Sequence, residues 1–295
     1  MLASSSSQLR VISLLALFGV LIGSVLIFEW APTLIASEWP EEVRHALRDG
    51  LLCALGTALG ALPVLFIRRI SQRTEDLMLG FGGGVMLAAT MFSLLVPAIS
   101  VAEEQGYGTY GSSLLAALGV MLGMVGLLFY DKLLPSETPA EGSARDRGVL
   151  DRGVLLFVTA IVLHNVPEGM AVGVATGGGL DGSDSLALGI ALQDAPEGMI
   201  VALVLYGAGV GRVKAVLIGA ASGLVEPLFA VICAWLVGVS TVLLPWGLAL
   251  AAGAMLFAVV HEIIPRSQGN GYGTIASLGL VAGFCLMMVM DTALG

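Results

Sequence analysis

Charge is scarce in this sequence. Of 295 residues only 12% are Asp, Glu, Lys or Arg, and the 13 basic residues are too few and too scattered to follow a phosphate backbone. Nucleic acid is therefore excluded as a partner, and the net charge of −9 reflects acids in short loops or in apolar runs. Cysteine is equally sparse. Cys53, Cys233 and Cys285 stand singly in separate apolar runs, so no disulfide framework or thiolate cluster is expected, and they read as small packing residues. No Gly-x-x-x-x-Gly-Lys loop is present, which argues against ATP drive within this chain. What is abundant is apolar surface: 57% hydrophobic residues, a mean hydropathy of +0.95 and 40 glycines. Such usage lies far outside soluble globular proteins and defines an integral membrane protein whose solvent is the bilayer.

The apolar residues fall into nine runs. The first, Val11 to Trp30, follows Arg10 and a Ser-rich start; it is long enough to span and lacks a clear small-x-small cleavage site, so a retained helix is expected rather than a signal peptide. An acidic, amphipathic stretch with Trp39 and Pro40 follows and reads as interfacial. Eight further runs occupy roughly 50–67, 75–101, 111–131, 153–176, 185–207, 213–237, 241–264 and 273–293. The organisation expected is an N-terminal segment, 1–49, and one membrane domain, 50–295, with a polar linker over 133–151. Glycine clusters such as Gly80, Gly82, Gly83 and Gly84 fit small-residue helix packing in lipid. If Arg10 faces the cytoplasm, eleven of the thirteen basic residues fall on that side, and only Arg44 and Arg48 on the other. The C-terminus is then expected outside.

Two of these runs carry the same motif. His164-Asn165-Val166-Pro167-Glu168-Gly169-Met170 is followed by Gln193-Asp194-Ala195-Pro196-Glu197-Gly198-Met199. On a helix, His164 and Glu168 are i, i+4 neighbours and Asn165 and Glu168 are i, i+3, so imidazole, amide and carboxylate share one face. Gln193, Asp194 and Glu197 repeat that face. Each proline removes one backbone donor and frees the carbonyl four residues back, Leu163 or Leu192, so a kink is expected beside the polar face. Glu226, before Pro227, lies in another apolar run. Four ionised acids, Glu168, Asp194, Glu197 and Glu226, at about 3 kcal/mol each cost on the order of 12 kcal/mol in hydrocarbon. A bound divalent metal supplies roughly 10–16 kcal/mol, enough to offset that cost.

Each candidate also has a plainer reading. The paired motifs could form a proton relay or a helix-locking hydrogen-bond cluster, and Glu226 could cap a broken helix. Met86 is on sequence alone a core methionine. His261 and Glu262, before Pro265, read equally as an interfacial pair or as part of an exit path, and Asp291 as the end of the last helix. Imidazole, amides and carboxylates suit a borderline divalent ion such as zinc, with cadmium, ferrous iron and manganese less easily excluded.

With those residues in place, the sequence resembles the ZIP (Zrt/Irt-like) family of divalent metal transporters, most closely its bacterial members. The resemblance covers residue 50 to the end. It rests on His164-Asn165-x-Pro167-Glu168-Gly169 and Asp194-x-Pro196-Glu197-Gly198, supported by Gly223-Leu224-x-Glu226-Pro227 and His261-Glu262-x-x-Pro265. It implies an all-α membrane fold of eight helices in a three, two, three arrangement with inverted-repeat triplets, to which Val11 to Trp30 adds one N-terminal helix, an accessory element or a homodimer contact. It also implies a binuclear site at mid-membrane. Met86, His164, Glu168, Gln193 and Glu197 would hold one metal; Asn165, Glu168, Asp194, Glu197 and Glu226 would hold the other. Gln193 stands where many relatives have a second histidine, and the 133–151 linker lacks the His-rich stretch found in many of them.

The function expected is transport of zinc, with cadmium, iron or manganese as further cargo, toward the cytoplasm of a bacterial inner membrane by alternating access. The alternative class is an intramembrane metal-dependent hydrolase, since Glu and His beside zinc can activate water. Against it, His261-Glu262-Ile263-Ile264-Pro265 lacks the second histidine of a His-Glu-x-x-His helix, and no serine occupies a Gly-x-Ser-x-Gly elbow. No enzymatic activity is expected.

Overall fold

The structure is a computed structural model, and it describes residues 37–67, 69–133 and 152–294. The run from Val11 to Trp30 and nearly all of the 133–151 linker lie outside the described residues. Within them the fold is all helix, with no strand. The first helix, α1 (Glu41–Ala61), begins well before residue 50, so most of the acidic stretch expected at the interface forms the opening turns of a spanning helix. Then follow α2 (Gln72–Ala88), a π-helical segment (Ala89–Leu95), α3 (Val96–Glu104), α4 (Gly108–Leu133), α5 (Arg152–Gly177) and α6 (Ser183–Gly207). The chain closes with α7 (Arg212–Ser222), α8 (Val225–Val239), α9 (Leu243–Ala258), a second π-helical segment (Val259–Ile263), α10 (Ile264–Gln268) and α11 (Gly273–Leu294).

Seven of the helical stretches are long and apolar enough to cross a bilayer. The 26 residues of α5 rise about 39 Å, enough for an eighth crossing. Local chemistry explains where the helices start and stop. Ser71 caps α2, its Oγ accepting from the Thr74 amide at 3.1 Å. Between α5 and α6 the Gly179 amide bonds Thr176 O and the Leu180 amide bonds Ala175 O, a Schellman closure that puts Gly179 at φ +64°. The short turn returns α6 antiparallel to α5, which brings the two motifs face to face. Each π-helical segment runs into a helix with proline at its start, Pro97 or Pro265. Proline cannot donate to the carbonyl four residues back, Ser93 or His261, and one extra residue in the turn relieves the clash.

Packing divides the helices into two groups. In the first, α1 lies against α6 and α8, and α5 lies against α8. Gly169, Gly173 and Gly177, one turn apart on α5, meet the backbone at Glu226, Ala230 and Ala234, where any Cβ would overlap main-chain atoms. Gly56 and Gly60 of α1 meet the backbone of Ala191 and Ala195 in the same way. In the second group Gly80 and Gly84 of α2 interlock with Ala276 and Leu280 of α11, and Gly123 of α4 with Leu250 of α9. Such small-residue seams let helices approach closely where no hydrophobic effect drives them together. Between the groups the contacts change character. Gly189 faces the Met287 side chain, Gly247 faces Val174 and Gly178 faces Leu244.

Asp291 departs from expectation. It lies within α11 rather than ending it, and accepts from Ser93 Oγ on the first π-helical segment at 2.5 Å.

Candidate metal centre

The helices α5 and α6 run without interruption through Pro167 and Pro196. Their polar faces meet inside the first group. Asn165, Glu168, Gln193 and Asp194 are all buried, at 1–2% exposure, while Glu197 is half-buried. A third arm arrives from a broken span. The run read as one crossing over 213–237 splits into α7 and α8 at Gly223-Leu224, and Glu226, fully buried, occupies the first turn of α8. Glu226 thus sits at the break, beside Asp194.

Neutral donors bind Glu168, Asp194 and Glu226. Gln193 Nε2 donates to Glu168 Oε1 and, at 2.6 Å, to Asp194 Oδ1, so one amide ties the first motif to the second. Asn165 Nδ2 donates to Glu226 Oε1 at 2.8 Å, and Thr57 Oγ1 reaches the same oxygen at 3.4 Å. One oxygen of each of these three acids is left over. Glu168 Oε2, Asp194 Oδ2 and Glu226 Oε2 are buried with no hydrogen-bond partner, as is Asn165 Oδ1. Buried acceptors without donors cost free energy, and four in one chamber point to a missing positive charge. Oxygens of Glu168, Asp194 and Glu197 lie within 4.8 Å of one another. Opposite ligands of one ion at roughly 2.0–2.2 Å are about 4 Å apart, so modest rotamer changes would close this triad on a divalent cation.

The remaining candidates lie at different distances from this chamber. His164 lies on α5 one turn before Glu168, but its side chain is outside the described residues. Met86 is buried on α2, one turn beyond Gly82, where a Cβ would stand 3.6 Å from Gln193 Oε1. Gly82 thus brings α2, the helix that carries Met86, beside Gln193. His261 and Glu262 are not part of this cluster. They lie on the second π-helical segment, where His261 is exposed and stacked on Phe257 with ring centroids 4.8 Å apart.

Two residues of α1 complete the chamber and were not singled out as ligands by the sequence. Thr57 bonds Glu226, and Cys53 Sγ lies within 4.8 Å of carboxylate oxygens of both Asp194 and Glu226. Cys53 packs in the apolar core, as read from the sequence, and also lies beside these two acids. The signal was present: Asp49, Cys53 and Thr57 recur at i, i+4 and i+8, one buried polar face on an apolar helix.

Fold and site together define an all-α, multi-pass membrane protein with a carboxylate-lined chamber enclosed by its helices. Residues 135–291 match the family model described as ZIP Zinc transporter. Among similar proteins, the zinc transporter ZIPB of Bordetella bronchiseptica is 44% identical over 86% of this chain and 82% of its own length. The zinc transporter GufA of Myxococcus xanthus is 39% identical over 83% of this chain and 97% of its own. The human zinc transporter ZIP11 is 32% identical over 81% of this chain and 94% of its own. The chain belongs to the ZIP family, whose members are transporters and not enzymes.

Proposed function

We propose that this protein carries zinc across the membrane toward the cytoplasm through a two-metal chamber, by alternating access. The single observation that carries the reading is the set of buried, partnerless oxygens on Glu168, Asp194, Glu226 and Asn165. Glu168 and Glu197, one from each motif, bridge the two ions. Met86, His164 and Gln193 complete the first subsite, and Asn165, Asp194 and Glu226 complete the second.

The two amides are prepared differently. Asn165 already holds Glu226 through Nδ2 and leaves Oδ1 open, so it can ligate without turning. Gln193 presents Nε2 to Glu168 and Asp194, so its amide must rotate before its oxygen can take a metal. Until then its N–H groups stand in for part of the cation's charge. A neutral oxygen in place of imidazole weakens the first subsite and leaves room for cadmium, iron or manganese beside zinc.

Alternating access is supported by the packing contrast. Each group of helices is locked internally by backbone contact, whereas across the seam the glycines Gly82, Gly178, Gly189 and Gly247 meet the side chains of Gln193, Leu244, Met287 and Val174. Such a seam permits the site-bearing group, α1 with α5 to α8, to slide as one body. The distribution of basic residues favours an N-terminus inside and a C-terminus outside a bacterial inner membrane. Driving force comes from gradients of metal, protons or voltage.

Proteoliposomes containing the purified protein test this directly. Saturable zinc uptake is expected, with no hydrolysis of peptides or lipids by the same preparation. Hydrolysis without uptake would overturn the reading.

A further inference from the structure

We infer that Cys53 is a sulfur ligand of the second metal subsite and biases it toward thiophilic cargo such as cadmium, an inference that rests on the carrier reading above. Cys53 is fully buried on α1. Its Sγ–H donates to Ala187 O at 3.5 Å, while Sγ remains within 4.8 Å of carboxylate oxygens of Asp194 and Glu226. Those two acids each hold a buried oxygen without a partner, Asp194 Oδ2 and Glu226 Oε2. The cluster thus holds buried acceptors without donors and offers sulfur and oxygen atoms at spacings one ion can bridge.

The helix cannot carry Cys53 away from the chamber. Gly50 brings α1 against the Pro227 backbone next to Glu226, and Gly56 brings it against Ala191 near Asp194. Thr57, one turn from Cys53 on the same face, is already bonded to Glu226. The thiol therefore reaches the metal by a side-chain rotation alone, giving up its bond to Ala187 O. As the sulfur–metal bond forms, the thiol proton passes to solvent, so occupancy of this subsite releases one proton beyond those lost by the carboxylates. Carboxylates and an amide alone make a hard site. One thiolate shifts preference toward softer ions.

The test uses the full chain in detergent, titrated with cadmium or zinc ions alone. The variant carrying both Cys233→Ser and Cys285→Ser keeps Cys53 as its one thiol. It is expected to develop a thiolate-to-cadmium charge-transfer absorption on titration. Cys53→Ser, close in size to the native residue, is expected to abolish that absorption. It is also expected to weaken cadmium binding about tenfold, with a smaller effect on zinc. Cadmium bound with no charge-transfer band, or an unchanged cadmium-to-zinc ratio in Cys53→Ser, would overturn the sulfur ligand and leave the carrier reading standing. Failure of the unaltered protein to bind either ion would overturn both. If Cys53→Ser fails to fold, alkylation of Cys53 in the single-cysteine variant decides the matter instead: protection by bound cadmium is expected, and equal rates with and without cadmium would contradict the sulfur ligand.

Discussion

The two helix groups solve the same packing problem with different interiors. In the group formed by α1, α5, α6, α7 and α8, glycine seams enclose amides, a thiol, a hydroxyl and four acids. The group formed by α2, α3, α4, α9 and α11 encloses Leu94, Leu248, Met255 and many alanines, together with a buried acid, Asp76, bonded to Gln72 and Asn270, and the Ser93 to Asp291 contact. Its outer helices are the least covered, 28% buried for both Gly108–Phe129 and Gly273–Ala293, against 56% for Ser183–Gly207. Tyr110, Leu114 and Phe129 are exposed there, as a lipid-facing wall requires. The lesson is a contrast of interiors: one group gathers the cluster of buried amides and acids, and the other packs mostly apolar side chains.

That contrast can be broken experimentally, and the largest effect is expected at the chamber. Glu168→Ala or Glu197→Ala should reduce zinc uptake to background while each variant still inserts and purifies, since the proposed two-metal site gives each a bridging role. Uptake near the unaltered level by either variant would remove the bridging assignment. Next come the seams within a group. Gly173→Ala sets a Cβ against the Ala230 backbone and should cost about 1–3 kcal/mol, read as a lowered melting temperature in detergent.

A smaller change is expected from Gln193→His. Replacing an amide that must turn by an imidazole that need not should tighten the first subsite roughly tenfold and alter the zinc-to-cadmium ratio. An unchanged ratio would show that Gln193 is no ligand. The smallest effect belongs to the seam between groups. At Gly189 a new Cβ would meet the side chain of the buried Met287 rather than backbone, so Gly189→Ala should cost about 1 kcal/mol, less than Gly173→Ala. Equal destabilisation by Gly173→Ala and Gly189→Ala, measured by thermal melts, would erase the distinction between locked groups and a sliding seam.

Much of this was legible in the sequence, for identifiable reasons. The polar cluster formed by the motifs at 164–170 and 193–199 could be read because helical periodicity puts their polar residues on one face and duplication makes coincidence improbable. Glu226 could be read because an acid beside a proline in an apolar run is expensive. Cys53 and Thr57 could not be assigned to the site. A small, weakly polar residue on an apolar helix costs little, so nothing local distinguishes a ligand from a spacer until α1 is seen against α6 and α8. The start of α1 at Glu41 was hidden by its charged first turns, which hydropathy alone assigns to the interface. Asp291 was misjudged because its partner, Ser93, is remote in the chain and sits on a π-helical segment that no sequence period announces.

The central claim is that the buried acids are tolerated because divalent ions occupy the space between them. Zinc bound per purified chain at equilibrium, with and without Glu226→Ala, tests it most directly. Two ions for the unaltered protein and one for the variant are the expected result; no bound zinc in the unaltered protein, or the same number in both, would contradict it.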